Sequence, residues 1–204
     1  MRHVLRLSGA LLIVAGLLLF FWQDIREIFI DRVNERVIES YHDDGRPVEV
    51  NRLESFVTGV GESAAYETAD VAGVLRIGSA DIAEPVFRGP VTEEKLKAGL
   101  SFVDGTDHAG MQNIPIAGHR VEGAGIRFNH LDRAAIGDIV EFETADEVRS
   151  YEITDIFEVE PSRVDVLDQK RDHPQQLTLI TCEDYNPETL LFEKRLIVKA
   201  TITE

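Results

Sequence analysis

The chain contains a single cysteine, Cys182, among its 204 residues. One thiol rules out an internal disulfide and every zinc site that needs several cysteines. Basic residues are also scarce, since 21 Lys and Arg stand against 37 Asp and Glu and give a net charge of −16. Phosphates and anionic headgroups attract Lys and Arg, so this charge argues against nucleic acid as a partner and against a polybasic membrane-docking surface.

Only one long stretch is free of charge, the 16 residues Leu7–Trp22. As a helix it is about 24 Å long, somewhat short of the ~30 Å hydrocarbon core of a bilayer. Arg2 and Arg6 precede it, which places the N-terminus in the cytoplasm by the positive-inside rule. No small-x-small cleavage site follows it, as a signal peptide requires. We predict a cytoplasmic tail at 1–6 and an uncleaved transmembrane anchor at 7–22, with the rest of the chain outside the cell.

Charges of both signs alternate along the next segment, Asp24–Tyr41, and apolar residues recur in it at near-helical spacing. This pattern predicts an amphipathic helix, and a solvated spacer explains it better than a partner-binding surface. Glu49–Asp70 is polar with scattered Gly and Ser, which is typical of a linker or an N-terminal appendage. We therefore assign 23–70 to an extracellular helical stalk and linker.

From residue 71 to the end at 204 the pattern changes to short apolar runs separated by turn residues. Many short strands at regular spacing predict a mainly β domain, either a barrel or a sandwich, and the pattern alone does not choose between them. One short helix is expected at Thr92–Lys97, which starts with an N-cap residue and acids in its first turn. The predicted strands are Val71–Ile77, Ile82–Phe87, Asn113–Ala117, Ile139–Thr144, Val148–Val159, Leu177–Thr181 and Leu191–Thr203.

Cys182 directly follows one of these apolar, β-branched runs. The turn residues Asp184, Asn186 and Pro187 come next, so the thiol is predicted at a strand end where a loop opens to solvent. The following strand carries Arg195, and a tight turn would bring the guanidinium beside the thiol. A cysteine in a strand serves equally well as core filling, so this pattern leaves both interpretations open.

A cysteine nucleophile needs a proton partner, and histidine has the appropriate pKa for that role. Among the six histidines, His119 differs from the rest because it follows an apolar strand and Gly118, a residue that lets the backbone turn. This places an imidazole at a strand end, as predicted for Cys182. A hydrogen-bonded structural histidine fits the same pattern.

The segment Thr178–Cys182, TLITC, resembles the TLxTC signature of the sortases, the cysteine transpeptidases of Gram-positive cell surfaces. Ile116–His119 is similar to the segment that carries the catalytic His of that family, and Glu193–Arg195 falls at its catalytic Arg. The continuation Cys182–Asn186, CEDYN, resembles class A members in particular. The resemblance covers roughly residues 71–203 and implies an eight-stranded sortase-type β-barrel with short helices.

The resemblance also implies a reaction. Cys182 attacks the Thr–Gly bond of an LPxTG-type sorting signal near the C-terminus of a secreted protein, and a thioacyl enzyme forms. His119 acts as general acid and then general base, and Arg195 donates hydrogen bonds to the substrate carbonyl. An amine of a peptidoglycan precursor, of the lipid II type, then resolves the thioacyl enzyme and joins the protein to the cell wall.

By the same resemblance, an apolar groove receives the Leu-Pro part of the signal. Thr181 precedes the nucleophile and helps to position the substrate, and Phe192 lies between the Cys and Arg strands. Ordinary core packing explains the apolar members of this set equally well. The predicted substrate-binding residues are Ala117, Val164, Val166, Leu167, Ile180, Thr181 and Phe192.

The reaction implied by the resemblance requires no cofactor, although some class A sortases bind calcium. Asp104 and Asp107 fall where such enzymes have calcium ligands, but Met111 and Gln169 stand at other positions where acids are expected. Calcium takes six to eight oxygen ligands, so two missing carboxylates argue against a tight site.

Two other functions stay open at this point. A specialised sortase that polymerises pilin subunits uses a Lys as its acceptor, and an inhibitory lid, if present, would have to lie in Glu49–Asp70. A non-catalytic surface binding module on a sortase-like barrel predicts the loss of Cys, His or Arg, whereas Cys182, His119 and Arg195 are all present.

Overall fold

The structure is a computed structural model that describes residues 2–43, 45–59, 70–103, 110–120, 127–186 and 191–203. For residues 2, 4, 5, 182–186, 191 and 192 it describes the backbone alone.

Eight strands close into a barrel in the order β1-β2-β3-β4-β7-β8-β6-β5, with β5 pairing back onto β1. The pairs β2–β3 and β4–β7 are parallel and the others are antiparallel. The predicted eight-stranded, mainly β fold is confirmed, and closure of the sheet decides for a barrel over a sandwich. The strands are β1 Val71–Ile77, β2 Ile82–Phe87, β3 Leu100–Phe102, β4 Asn113–Ala117, β5 Ile139–Thr144, β6 Val148–Val159, β7 Gln176–Asn186 and β8 Leu191–Ile202.

Sequence patterning finds all of these strands except β3. Three residues are too few to show a two-residue period, so β3 had no detectable signal. It becomes a strand because Val86 and Phe87 pair on one side of it and Ile116 and Ala117 on the other. The pairing partners therefore determine this strand.

Two long helices precede the barrel, α1 Arg2–Phe20 and α2 Trp22–Asp43, and they meet at an angle of 59°. Among the described helices, none is by itself both long and apolar enough to cross a membrane. The bent pair together satisfies that test by length and composition only. The apolar side chains of α1 are exposed, with Leu11 and Leu19 at 71% and 77%.

Helix α2 packs along the outside of the barrel. Val33 and Val37 are buried in a cluster with Val71 of β1 and Phe87 of β2. The Tyr41 hydroxyl donates a hydrogen bond to the Ala72 carbonyl at 3.3 Å. The solvated-spacer interpretation of this segment is therefore wrong for α2. The apolar stripe that predicted an amphipathic helix faces the barrel.

The described part of the chain also contains two short α-helices, α3 Arg52–Thr58 and α4 Glu93–Ala98. Helix α3 begins with a capping box between Asn51 and Glu54, which satisfies backbone N–H groups of the first turn. Helix α4 begins where its N-cap threonine and first-turn acids predicted. It connects β2 to β3 and leads toward the end of the barrel where β4 stops.

Candidate active site

The parallel pair β4–β7 brings two sequence-predicted residues to one end of the barrel. Ala117, the last residue of β4, pairs with Ile180 of β7. The Gly118 amide extends this ladder by donating to the Ile180 carbonyl at 3.1 Å. His119 and Cys182 each lie two residues beyond this pair. Because neighbouring parallel strands advance together, positions 119 and 182 are neighbours at the carboxyl end of β4.

Arg195 of β8 pairs directly with Cys182 of β7 in the antiparallel ladder. Residues opposite each other in such a ladder lie on the same side of the sheet. The Arg195 side chain is exposed. The two adjacent pairings, β4–β7 and β7–β8, therefore place positions 119, 182 and 195 together.

The prediction that β7 ends at Cys182 was wrong. The strand continues through Asn186, which pairs with Leu191 of β8. The turn residues Asp184 and Asn186 are held in the sheet by β8, which overrides their local preference for a turn. Cys182 instead lies where β4 stops beside β7.

His119 is held from both sides by backbone and side-chain contacts. A Cβ atom at Gly118 would lie 2.5 Å from Leu100 and 2.6 Å from Phe128, so glycine is required there for close packing. The Phe128 amide donates to the His119 carbonyl at 3.1 Å. The imidazole is 30% exposed, and its Nε2 lies 3.3 Å from Oε2 of Glu93 in α4.

A buried ion pair lies next to this segment. Arg127 is 6% exposed and Glu84 is 2% exposed, and Nη1 of Arg127 donates to Oε2 of Glu84 at 2.5 Å. The same nitrogen donates to Oδ1 of Asn34 in α2 at 2.9 Å, and Nη2 donates to the Lys97 carbonyl of α4. Burial raises the pKa of Glu84, and the positive charge of Arg127 opposes that rise. The guanidinium of Arg127, a residue that follows His119 in the chain, thus contacts β2, α2 and α4.

Sequence reasoning did not identify Arg127, Glu84, Asn34 or Glu93. Glu93 was predicted only as an acid in the first turn of a short helix, and Asn34 was not singled out within the amphipathic segment. Arg127 follows Asn34 by 93 residues and Glu84 by 43, so no local spacing connects them. Only the packing of α2 and α4 against the barrel brings Arg127, Glu84 and Asn34 together and places Glu93 beside His119.

The predicted groove residues fall into different environments. Ile180 and Val166 are buried in a small cluster with Val159 and Ile197, and Leu167 packs against it. The structure does not place Val164 in that cluster, because its side chain is 66% exposed. The others are Ala117, which is half-buried at the end of β4, Thr181, which is 2% exposed, and Phe192, whose side chain lies outside the described residues.

The calcium candidates Asp104 and Asp107 also lie outside the described residues. Within the part of the chain that the structure describes, no group of three or more His, Cys, Asp or Glu side chains is placed to hold a metal ion. Gln169 has a structural role, since its amide oxygen accepts from the Asn113 amide at 2.9 Å and its nitrogen donates to the Asn113 carbonyl at 2.7 Å. These contacts anchor the segment before β7 to the start of β4.

Comparison with known proteins agrees with this architecture. The Sortase domain family matches residues 75–203. Sortase A of Staphylococcus aureus is 35% identical over 201 residues, which span 98% of this chain and 96% of that protein. Sortase A of Streptococcus agalactiae is 30% identical over 94% of this chain and 81% of that protein.

Solved structures show the same fold. Listeria monocytogenes sortase A superposes with a TM-score of 0.59 at 24% identity and covers 66% of this chain and 88% of its own. The Clostridium perfringens sortase D5 transpeptidase gives a TM-score of 0.60 at 24% identity over 85% of this chain and 99% of its own. The chain belongs to the sortase family and is a cysteine transpeptidase of the sortase A type.

Proposed function

We propose that the protein cleaves an LPxTG-type sorting signal between Thr and Gly and joins the released carboxyl group to an amine of a peptidoglycan precursor. The observation that carries the proposal is the register of β4, β7 and β8, in which positions 119, 182 and 195 are neighbours. Acyl transfer needs a nucleophile, an acid–base group and a positively charged hydrogen-bond donor at one place.

Cys182 supplies the nucleophile. Its sulfur attacks the Thr carbonyl carbon, the C–N bond to Gly breaks, and a thioester links the sorted protein to the enzyme. His119 gives a proton to the departing Gly amine and later takes one from the incoming amine, so the proton count is restored after each turnover. The new amide bond forms as the thioester breaks, and the Cys182 sulfur is released.

Arg195 stabilises the oxygen that becomes negative during each attack. Its guanidinium is always charged and presents several donors in a fixed plane, which suits a developing oxyanion. Its direct pairing with Cys182 in the sheet supports this role.

Helix α1 anchors the enzyme in the cell membrane, with the catalytic domain outside the cell. The helix has 19 residues and is therefore about 28 Å long, and since no described helix satisfies the length and composition of a membrane span alone, the proposed span also uses the start of α2. Its exposed Leu, Ile and Val side chains would be poorly accommodated in water. Beyond the bend, α2 packs on the barrel and keeps the active site near the membrane surface, where secreted proteins and lipid-linked precursors meet.

The decisive test is to identify the products. Purified full-length enzyme in detergent micelles is mixed with LPxTG, NPxTN or pilin-type peptides, together with oligoglycine, diaminopimelate or Lys as acceptors. We expect mass spectrometry to show the LPxTG peptide cut after Thr and joined to a peptidoglycan-type amine. Joining of pilin-type peptide to Lys alone would contradict the proposal and favour pilin polymerisation. Absence of cleavage in every mixture would favour a binding module.

The Leu-Pro part of the signal is proposed to contact Ile180 and its strand partner Ala117 together with Val166 and Leu167, and Thr181 to help position the substrate beside the nucleophile. Substituting Ala for the Pro of the peptide is then expected to lower kcat/KM about tenfold, because apolar contact area is lost. The measurement is a peptide-cleavage time course at several substrate concentrations. A peptide with Ala at the variable position of LPxTG is the control, and equal rates for the Pro and Ala peptides would contradict the groove.

A further inference from the structure

Helix α4 presents an acidic side chain to the imidazole of His119. Oε2 of Glu93 lies 3.3 Å from Nε2 of His119, and Oε1 of the same carboxylate lies 3.7 Å from the Lys97 ammonium group one turn along the helix. The Glu93 side chain is 58% exposed and that of His119 is 30% exposed. An ion pair this exposed contributes little to the stability of a fold. Its location against the proposed acid–base residue calls for a different role.

Both partners of this contact are held in place by consecutive residues. Nη2 of Arg127 donates to the Lys97 carbonyl at the end of α4, and the Phe128 amide donates to the His119 carbonyl at 3.1 Å. Arg127 is itself fixed by its buried ion pair with Glu84. Two consecutive residues, Arg127 and Phe128, therefore link α4 to the His119 backbone and set the spacing between Glu93 and His119.

The start of α4 is also fixed. The Lys95 amide donates to the N-cap hydroxyl of Thr92 at 3.3 Å. The Lys95 ammonium group donates to the carbonyls of Arg88 at 2.6 Å and Pro90 at 3.2 Å, which ties down the loop that leads into the helix. Glu93 is thus the first residue of a helix secured at both ends.

An ionised carboxylate only accepts hydrogen bonds, so the imidazole nitrogen that faces it carries a hydrogen. This leaves Nδ1 of His119 as the nitrogen that exchanges protons with the substrate. We propose that Glu93 is a positioning residue that orients the His119 imidazole and selects its tautomer. The proposal rests on the acid–base role of His119 proposed above. Cys182 as nucleophile, His119 as base and Glu93 as orienting carboxylate would then be arranged as in a catalytic triad.

The test compares Glu93→Gln with Glu94→Gln in the full-length enzyme in detergent micelles, using an LPxTG peptide and an amine acceptor. Glu94 is exposed on the same first turn and does not pair with His119 among the described side chains, so it is a control with the same change of charge. A buried triad carboxylate is worth about 10⁴ in kcat. Because Glu93 is half exposed, we expect a smaller effect here. Glu93→Gln should lower kcat about tenfold and change the KM for the LPxTG peptide less than twofold. Glu94→Gln should keep both constants.

Two further variants make the result specific. Glu93→Asp keeps the charge on a shorter side chain and is expected to recover part of the lost kcat. Thermal unfolding of all variants should give the same melting temperature. Equal kcat for Glu93→Gln and Glu94→Gln would overturn the proposal, as would a loss expressed only in KM.

A parallel assay of His119→Ala separates this proposal from the proposed function. Full turnover by His119→Ala would remove the acid–base role on which both depend. Loss of turnover in His119→Ala together with an unaffected Glu93→Gln would overturn only the positioning role of Glu93.

Discussion

Replacing Cys182 by Ala is expected to abolish peptide cleavage and transpeptidation. The methyl group cannot form the thioester through which acyl transfer passes, and neither His119 nor Arg195 is a substitute nucleophile. Because covalent catalysis divides one difficult step into two easier ones, we expect turnover to fall by at least about 10⁴-fold, below detection in a peptide assay. The measurement is product formation from an LPxTG peptide by the full-length enzyme over several hours.

The single cysteine makes this prediction unusually easy to control. Any thiol label must be on Cys182, so one equivalent of iodoacetamide should inactivate the enzyme and excess peptide should slow the labelling. Thr178→Ser, on the same strand and still able to bond Asn113, serves as a control that keeps the thiol. Normal turnover by Cys182→Ala, or full activity after complete labelling, would contradict the nucleophile assignment.

Replacing Arg127 by Leu is expected to destabilise the protein by about 3–5 kcal/mol, because the change leaves Glu84 as a buried charge without its partner. Arg127 also satisfies the Lys97 carbonyl and Asn34, whose hydrogen bonds would be lost with it. For a chain of this size, each kcal/mol corresponds to roughly 2–4 °C in Tm. Thermal unfolding by circular dichroism should therefore show a fall of about 10 °C. Peptide cleavage should fall as well, because the neighbouring Phe128 amide holds His119.

Arg163→Leu provides the matched control. Arg163 pairs with Asp165 through two contacts of 2.6 and 2.7 Å, but both side chains are more than half exposed. Water replaces the lost partner at such a site, so no measurable change in Tm is expected. A double variant, Arg127→Met with Glu84→Met, should recover much of the lost stability because no unpaired charge remains. Equal melting temperatures for Arg127→Leu and Arg163→Leu would show that burial of the pair has no energetic consequence.

The contacts of Arg127 determine which part of the chain is suitable for assays. Its contact with Asn34 shows that α2 covers the buried ion pair, and Val33 and Val37 pack on the same face of the barrel. A domain that begins at Val71 would lack this cover. The boundary predicted from composition at residues 70–71 separates the strands from α1, α2 and α3 in the sequence, whereas α2 packs against β1 and β2 across it in the structure. The full-length chain is therefore the appropriate material for every assay described above.

Much of the fold was predictable because short apolar runs and turn residues are local signals. The bounds of β1, β2, β4, β5 and β6 match those predicted from alternation and turn chemistry. The strand β3 and the extension of β7 past Cys182 were not predictable, because each depends on a neighbouring strand and not on its own residues. The same distinction applies to Gly118, which was assigned to a turn but is required by the close approach of Leu100 and Phe128.

The sequence by itself determined the chemical components: one thiol, a histidine after an apolar strand, an arginine on the strand that follows the thiol, and a family signature around them. It also determined the apolar N-terminal helix. Only the tertiary structure decided that the parallel pairing of β4 with β7 makes positions 119 and 182 neighbours, that Glu93 lies against His119, and that Arg127 pairs with Glu84 and Asn34. The reason is physical, since residues far apart along the chain meet only when the barrel closes and the helices pack against it, and local patterns contain no record of those contacts.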